Sequence, residues 1–127
     1  MWNYEATVVR VVDGDTVDLN VDVGFRHYTV QRFRLNGYNA PELVGVEKPL
    51  GVQARARLIE LLPAGLVVRV WTHKGDSFGR WLCDVALART DIVPLLIAEG
   101  YGVRWDGRGA RPVFSPLAPY PLQQGGA

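Results

Sequence analysis

Three polar clusters interrupt a mostly apolar chain, and their side chains are carboxylates and guanidinium groups. The first is Asp13-Gly14-Asp15-Thr16. The second is Phe33-Arg34-Leu35, followed by Asn39-Ala40-Pro41-Glu42. The third is Asp76-Ser77-Phe78-Gly79-Arg80. A positioned carboxylate takes a proton or holds a hard cation. A guanidinium binds anions through a planar fork of donors. Taken singly, each cluster has an ordinary explanation. Asp-Gly-Asp is a common turn. Arg34 alternates with Phe33 and Leu35 and so points away from the side they bury. Pro41-Glu42 reads as a loop end, and Gly79-Arg80 as a turn with a surface charge. His27 and His73 lack the spacing of a metal pair and read as surface or strand-end residues. Cys83 lies among apolar neighbours and reads as a small core residue. A lone cysteine makes neither an internal disulfide nor a cysteine-based zinc site.

These groups sit in a chain of 127 residues and 14.1 kDa, the size of one domain. The hydrophobic fraction of 48% against 21% charged residues excludes disorder of the whole chain. A formal net charge of +1 is too small for a protein that coats nucleic acid by bulk charge. If nucleic acid is the ligand, a local grouping of arginines must bind it. No apolar run approaches the roughly 20 residues a membrane helix needs. The opening Met1-Trp2-Asn3-Tyr4-Glu5 has neither the basic nor the apolar region of a signal peptide. The chain as given is expected to be soluble, cytoplasmic and monomeric; secretion would require a signal preceding this sequence.

The elements that must hold the clusters are mostly strands. Ala6 to Val12 is apolar and β-branched, and Asp13-Gly14-Asp15 turns it. Val17, Leu19, Val21 and Val23 then alternate with polar residues at period two. Tyr28 to Leu35 reads as a third strand and Gly37 to Pro41 as a loop. From near Val52, Ala54, Leu58, Leu61 and Leu62 recur at helical spacing until Pro63 and Gly65 stop the pattern. Leu66 to Trp71 and Trp81 to Leu87 read as further strands. Asp91 is the expected N-cap of a short helix from Ile92 to Glu99, with Gly100 past its end and Pro94 tolerated in its first turn. The order predicts an α+β, mainly β fold: a five-stranded OB-type Greek-key barrel with two or three packed helices. Residues 1–106 form this domain. Residues 107–127, with Pro112, Pro116, Pro119 and Pro121, read as an irregular tail that lies over the barrel through Val113, Phe114, Leu117 and Tyr120 or stays partly disordered.

Together the clusters are more specific than apart. Val11-Val12-Asp13-Gly14-Asp15-Thr16-Val17, Phe33-Arg34-Leu35, Ala40-Pro41-Glu42, Asp76 and Phe78-Gly79-Arg80 resemble, in order and spacing, the staphylococcal nuclease (thermonuclease) family. Gly45-Val46-Glu47-Lys48 is similar to that family's loop before its long helix. The resemblance covers residues 5–103. It implies an OB barrel that hydrolyses DNA and RNA phosphodiesters with a calcium ion, with little base specificity and 3′-phosphate products; single strands and frayed ends are the expected preference, because a barrel groove with stacking platforms suits them. It also implies that Asp15 is a metal ligand, that Arg34 and Arg80 bind and neutralise the phosphate, and that Glu42 is the general base.

Two positions depart from the pattern. Asn39 stands where the family usually has a second metal-binding aspartate, and Ala40 where it often has threonine. Each still offers a carbonyl oxygen, but the loss of one charge weakens cation binding. Two outcomes are open: an active enzyme that needs more metal or in which Asp13 or Asp18 restores the charge, or a non-catalytic OB module that binds single-stranded nucleic acid or a protein. Tyr38, Phe78, Tyr101 and Trp105 are candidates for stacking bases. Trp71 and Trp81, inside strands, read as core. Arg104, Arg108 and Arg111 form a sparse basic run, either solvated or tracking a phosphate backbone.

Overall fold

The computed structural model describes residues 2–73, 75 and 80–115. Its long strands are β1 (Trp2–Asp13), β2 (Thr16–Gly24) and β3 (His27–Leu35). A two-residue strand, β4 (Tyr38–Asn39), and a 3-10 turn at Gly45–Glu47 lead into helix α1 (Lys48–Leu61). After it come β5 (Val67–His73), β6 (Trp81–Leu87), the short β7 (Thr90–Asp91), α2 (Ile92–Ala98) and the short β8 (Val103–Arg104). Strand β1 pairs antiparallel with β2 and β5, β2 with β3, and β5 with β6. A parallel pairing of Phe33, Arg34 and Leu35 with Trp81, Leu82 and Cys83 joins β3 to β6. That contact closes β1, β2, β3, β6 and β5 into a barrel. The architecture is the mainly β, OB-type barrel with packed helices that the pattern predicts.

Alternation fills the interior. Val8, Val17, Leu19, Leu35, Val70, Cys83 and Val85 are all buried. Leu58 and Leu62 of α1 and Ile92 and Leu96 of α2 join the same core. Cys83 is fully enclosed, as a core residue should be. Trp81 is not: it shares the inward side of β6 with Cys83 but remains 48% exposed, and Trp71 is only half-buried. Trp71 is out of phase with the buried Val68 and Val70 and so lies on the outer side of β5; for Trp81 the cause is the short parallel pairing. It spans three residues, so the barrel end below it is open. Trp2, Tyr4, Val23 and Trp81 line a cavity of about 360 Å³ there.

Helix α1 begins at Lys48, earlier than its apolar periodicity indicates, because its first turn holds two residues that read as breakers. Pro49 is compatible there, since first-turn amides have no helical acceptor. Gly51 is required for another reason: a Cβ on it would overlap the carbonyl oxygen of Glu42. Asp91 precedes α2 as expected but makes no side-chain cap; it pairs with Ala86 as an edge residue instead. Gly100 closes α2 at φ 81°, a conformation suited to glycine.

Gly51→Ala should therefore reverse the usual helix preference. Alanine normally stabilises a helix interior relative to glycine by about 1 kcal/mol. Here urea denaturation should show a loss of about 1–3 kcal/mol from overpacking. Val52→Ala, at an exposed neighbour, should stay within about 0.5 kcal/mol of wild type.

Candidate active site

Strand register brings the first two clusters together. Thr16 lies opposite Arg34 across the β2–β3 pair, so the Asp13–Asp15 turn sits at the end of β3 that carries Arg34. The Leu35 amide donates to the Asp15 carbonyl at 2.9 Å and fixes that approach. Gly14 is there because nothing larger fits: a Cβ would come within 2.7 Å of the Ala40 methyl and 2.9 Å of the Ala54 methyl. The parallel pairing then sets Arg34 beside Leu82, two residues after Arg80. One pocket of about 610 Å³ results. Asp13, Asp15, Arg34, Asn39, Ala40, Glu42, Arg80 and Trp105 face it, as does Arg111, brought from beyond the barrel.

Arg34 is held on two sides. Its Nη2 donates to the Tyr38 carbonyl and to Asn39 Oδ1, both at 3.2 Å. The Trp105 ring lies under the guanidinium, 4.9 Å from its carbon to the ring centroid, in cation–π contact. Trp105 is fixed in turn by its Nε1 donating to the Arg108 carbonyl at 2.9 Å. Among the described residues, Nε and Nη1 of Arg34 have no hydrogen-bond acceptor, so N–H groups on either flank of Nη2 remain for an anion.

Asp15 is the most enclosed carboxylate of the pocket. Oδ1 accepts from the Thr16 hydroxyl at 3.0 Å and Oδ2 from the Ala40 amide at 3.0 Å. Arg34 Nη2 is 4.0 Å from Oδ2. Burial raises its pKa from 3.8 to about 7, helped by the neighbouring Asp13 charge and the hydrogen bond with Asp13; the Ala40 amide and Arg34 pull the other way.

The expected cation ligands Asp15, Asn39 and Ala40 line one pocket, but the Asn39 and Ala40 oxygens are already engaged by arginines. Asn39 is 2% exposed with its Oδ1 committed to Arg34, and among the described residues its Nδ2 finds no acceptor. The Ala40 carbonyl accepts from Arg111 Nη2 at 3.2 Å. Both oxygens thus meet guanidinium groups, which repel a cation. Among the described residues no group of three or more His, Cys, Asp or Glu side chains is arranged to hold a metal ion. As arranged, this donor set does not fit calcium, and no step below passes through one.

The remaining expectations divide. Glu42 projects into the pocket, its side chain 53% exposed, and Arg80 lines the same space. Asp13 lines it too, but Asp18 does not. Asp18 lies between Arg10 and Arg32 in a three-strand ion ladder on another face, and its pKa is lowered first by the Arg32 hydrogen bond. Tyr38 is 1% exposed, with Gly102 against its ring, so it presents no face to a base. Tyr101 is half-buried against the core. Asp76 and Phe78 lie outside the described residues. Arg104 and Arg108 are exposed, whereas Arg111 turns into the pocket. Glu47 was absent from the expected site yet holds one rim of it. Its membership of the motif Gly45-Val46-Glu47-Lys48 was the available signal.

No protein-family model matches the chain. Over 84 residues, 66% of its length, it is 29% identical to the probable staphylococcal-like nuclease CAN2 of Oryza sativa subsp. japonica, and equally to the probable staphylococcal-like nuclease CAN3 of the same plant. It is distantly similar to staphylococcal-like nucleases. The chain spans about a fifth of the length of these curated relatives, 22% and 21%.

The Asp15 pKa gives a test in metal-free buffer. Its folded pKa lies above the unfolded 3.8, so its contribution to stability is complete below that pH and is lost as pH rises through about 7. Carboxyl-carbon NMR should find one aspartate titrating near 7, and Asp13→Asn should move that midpoint down. A midpoint in the ordinary carboxylate range would contradict this account of the pocket.

Proposed function

We propose that this chain is a nuclease that hydrolyses phosphodiester bonds in DNA and RNA. The observation that carries the reading is the single pocket in which Arg34, Arg80 and Glu42 meet, three groups drawn from separate motifs. The chain's likeness to staphylococcal-like nucleases supports it.

A phosphodiester is an anion that repels nucleophiles, and its transition state gathers further negative charge on the equatorial oxygens. Arg34 offers single N–H groups of Nε and Nη1, rather than one fork, to those oxygens, with its plane already fixed by Trp105 and two acceptors. Arg80 supplies a second positive charge from the opposite strand end. Glu42, exposed at the pocket rim, takes the proton of the attacking water as the new P–O bond forms and the bond to the leaving oxygen breaks. Nothing in this set reads a base edge, so little sequence specificity is expected. The open pocket suits single strands, whose phosphates are accessible from all sides. Calcium dependence, as the family resemblance implies, would need the Asn39 and Ala40 oxygens to leave their arginines.

One observation favours a second reading. With both carbonyl oxygens held by arginines, the pocket is cationic where a metal-dependent enzyme needs ligands. A binding module that retains DNA without cutting it is the alternative.

Cleavage of a labelled single-stranded oligonucleotide, with calcium and with chelator, distinguishes the two. The nuclease reading expects Glu42→Gln to lower the rate by about 10²–10⁴-fold with DNA still bound. It expects Arg34→Ala and Arg80→Ala each to cost about 10²-fold or more. Retained binding with no cutting by the intact chain under either condition would establish the binding module.

A further inference from the structure

The segment after β8 carries no helix or strand in residues 105–115, yet it reaches back to the pocket rim. Its anchor is the carboxylate of Glu47, which is 6% exposed and saturated with donors. Arg111 Nη1 and Nη2 grip its two oxygens at 3.1 and 2.9 Å. The Phe114 amide adds a third donor at 3.3 Å, and the Phe114 side chain is buried. The fourth donor is the backbone amide of Glu42, at 3.1 Å. Arg111 also donates to the Ala40 carbonyl, and its Nε stands 3.6 Å from Glu42 Oε1. One guanidinium therefore touches the peptide on one side of Pro41 and the carboxylate on the other, while its partner Glu47 holds the amide between them.

We infer that Arg111 is a positioning residue for Glu42, delivered to the site by the chain beyond the barrel. The inference rests on the nuclease reading only for its catalytic readout. Most of the Arg111 donors are already committed: the fork to Glu47 and one further N–H to Ala40. What remains toward the pocket is Nε, and it faces Glu42 rather than open space. This distinguishes it from Arg34, whose Nε and Nη1 keep N–H groups for an anion. A residue that binds substrate equally in ground and transition states raises KM when removed. A residue that aligns the base lowers kcat.

Removing Arg111 alone leaves the buried Glu47 charge with two backbone amides and without its cationic partner, which destabilises a fold. The variants are therefore Arg111→Gln, Arg111→Lys and the neutral pair Glu47→Gln with Arg111→Gln, all in the full chain. Steady-state cleavage of a labelled oligothymidylate should show kcat reduced about 30-fold or more in the neutral pair, with KM within about threefold. Arg111→Lys should restore little, because an ammonium cannot make the fork. Guanidinium ion at sub-denaturing concentration should partly restore kcat of Arg111→Gln. Amide hydrogen exchange gives an arm independent of activity. The Glu42 amide should lose protection in Arg111→Gln while the Leu58 amide, inside α1, keeps it. Unchanged kcat in folded variants, a rise in KM alone, or an unaltered Glu42 amide would each overturn the inference. If the wild-type chain cuts nothing, the nuclease reading fails, and the exchange measurement still decides whether Arg111 holds Glu42.

Discussion

The site depends on three residues of β3 lying parallel to three of β6. Among the described residues, the pairing of Phe33, Arg34 and Leu35 with Trp81, Leu82 and Cys83 turns a five-strand ribbon into a barrel. A parallel pair cannot be joined by a tight turn; it needs a long crossover. The chain spends that crossover on the Glu42 loop, α1 and β5. The closure that buries the core is therefore also what sets two arginines from remote parts of the sequence at one pocket. It leaves a cost at the other end, where the short pairing keeps the barrel mouth open around Trp2 and Trp81.

Electrostatics within the pocket are balanced rather than of one sign. Asp13, Asp15 and Glu42 face Arg34, Arg80 and Arg111. Most of these charges are directed by a neighbour. Asp15 is fixed by Thr16 and Ala40, Arg34 by Trp105 and the Tyr38 carbonyl, and Arg111 by Glu47. Preorganisation of this kind lets donors meet developing charge without first reorienting. Asn39 fits the same balance, because a neutral amide satisfies Arg34 without adding another buried negative charge.

Much of this was legible in the residues. Alternation exposes strands, so β1, β2 and β3 and the barrel class follow from the pattern of Val, Leu and Asp. Motif order points to Asp15, Arg34, Glu42 and Arg80, because short motifs keep their spacing. Other features were not legible, for identifiable reasons. The start of α1 is hidden because Pro49 and Gly51 look like breakers, while the contact that requires Gly51 is with a backbone atom elsewhere in the chain. Tyr38 and Trp105 are both aromatic and both near the site, but only tertiary packing puts one in the core and the other under an arginine. Arg111 sits in a segment without period, and its partner Glu47 is 64 positions earlier. No local pattern announces a pair at that separation.

That separation also orders events in time. A chain is made from its N-terminus, and its domains form as their parts emerge. Glu42 and Glu47 are made early, and the last strand of the barrel, β6, is complete by Leu87. The guanidinium that grips the Glu42 loop comes 64 residues after Glu47, later than every strand that closes the barrel. The clamp on the pocket rim is thus supplied by a residue that follows every strand of the barrel in the chain. In the order of synthesis, the contact that finishes the pocket rim comes last.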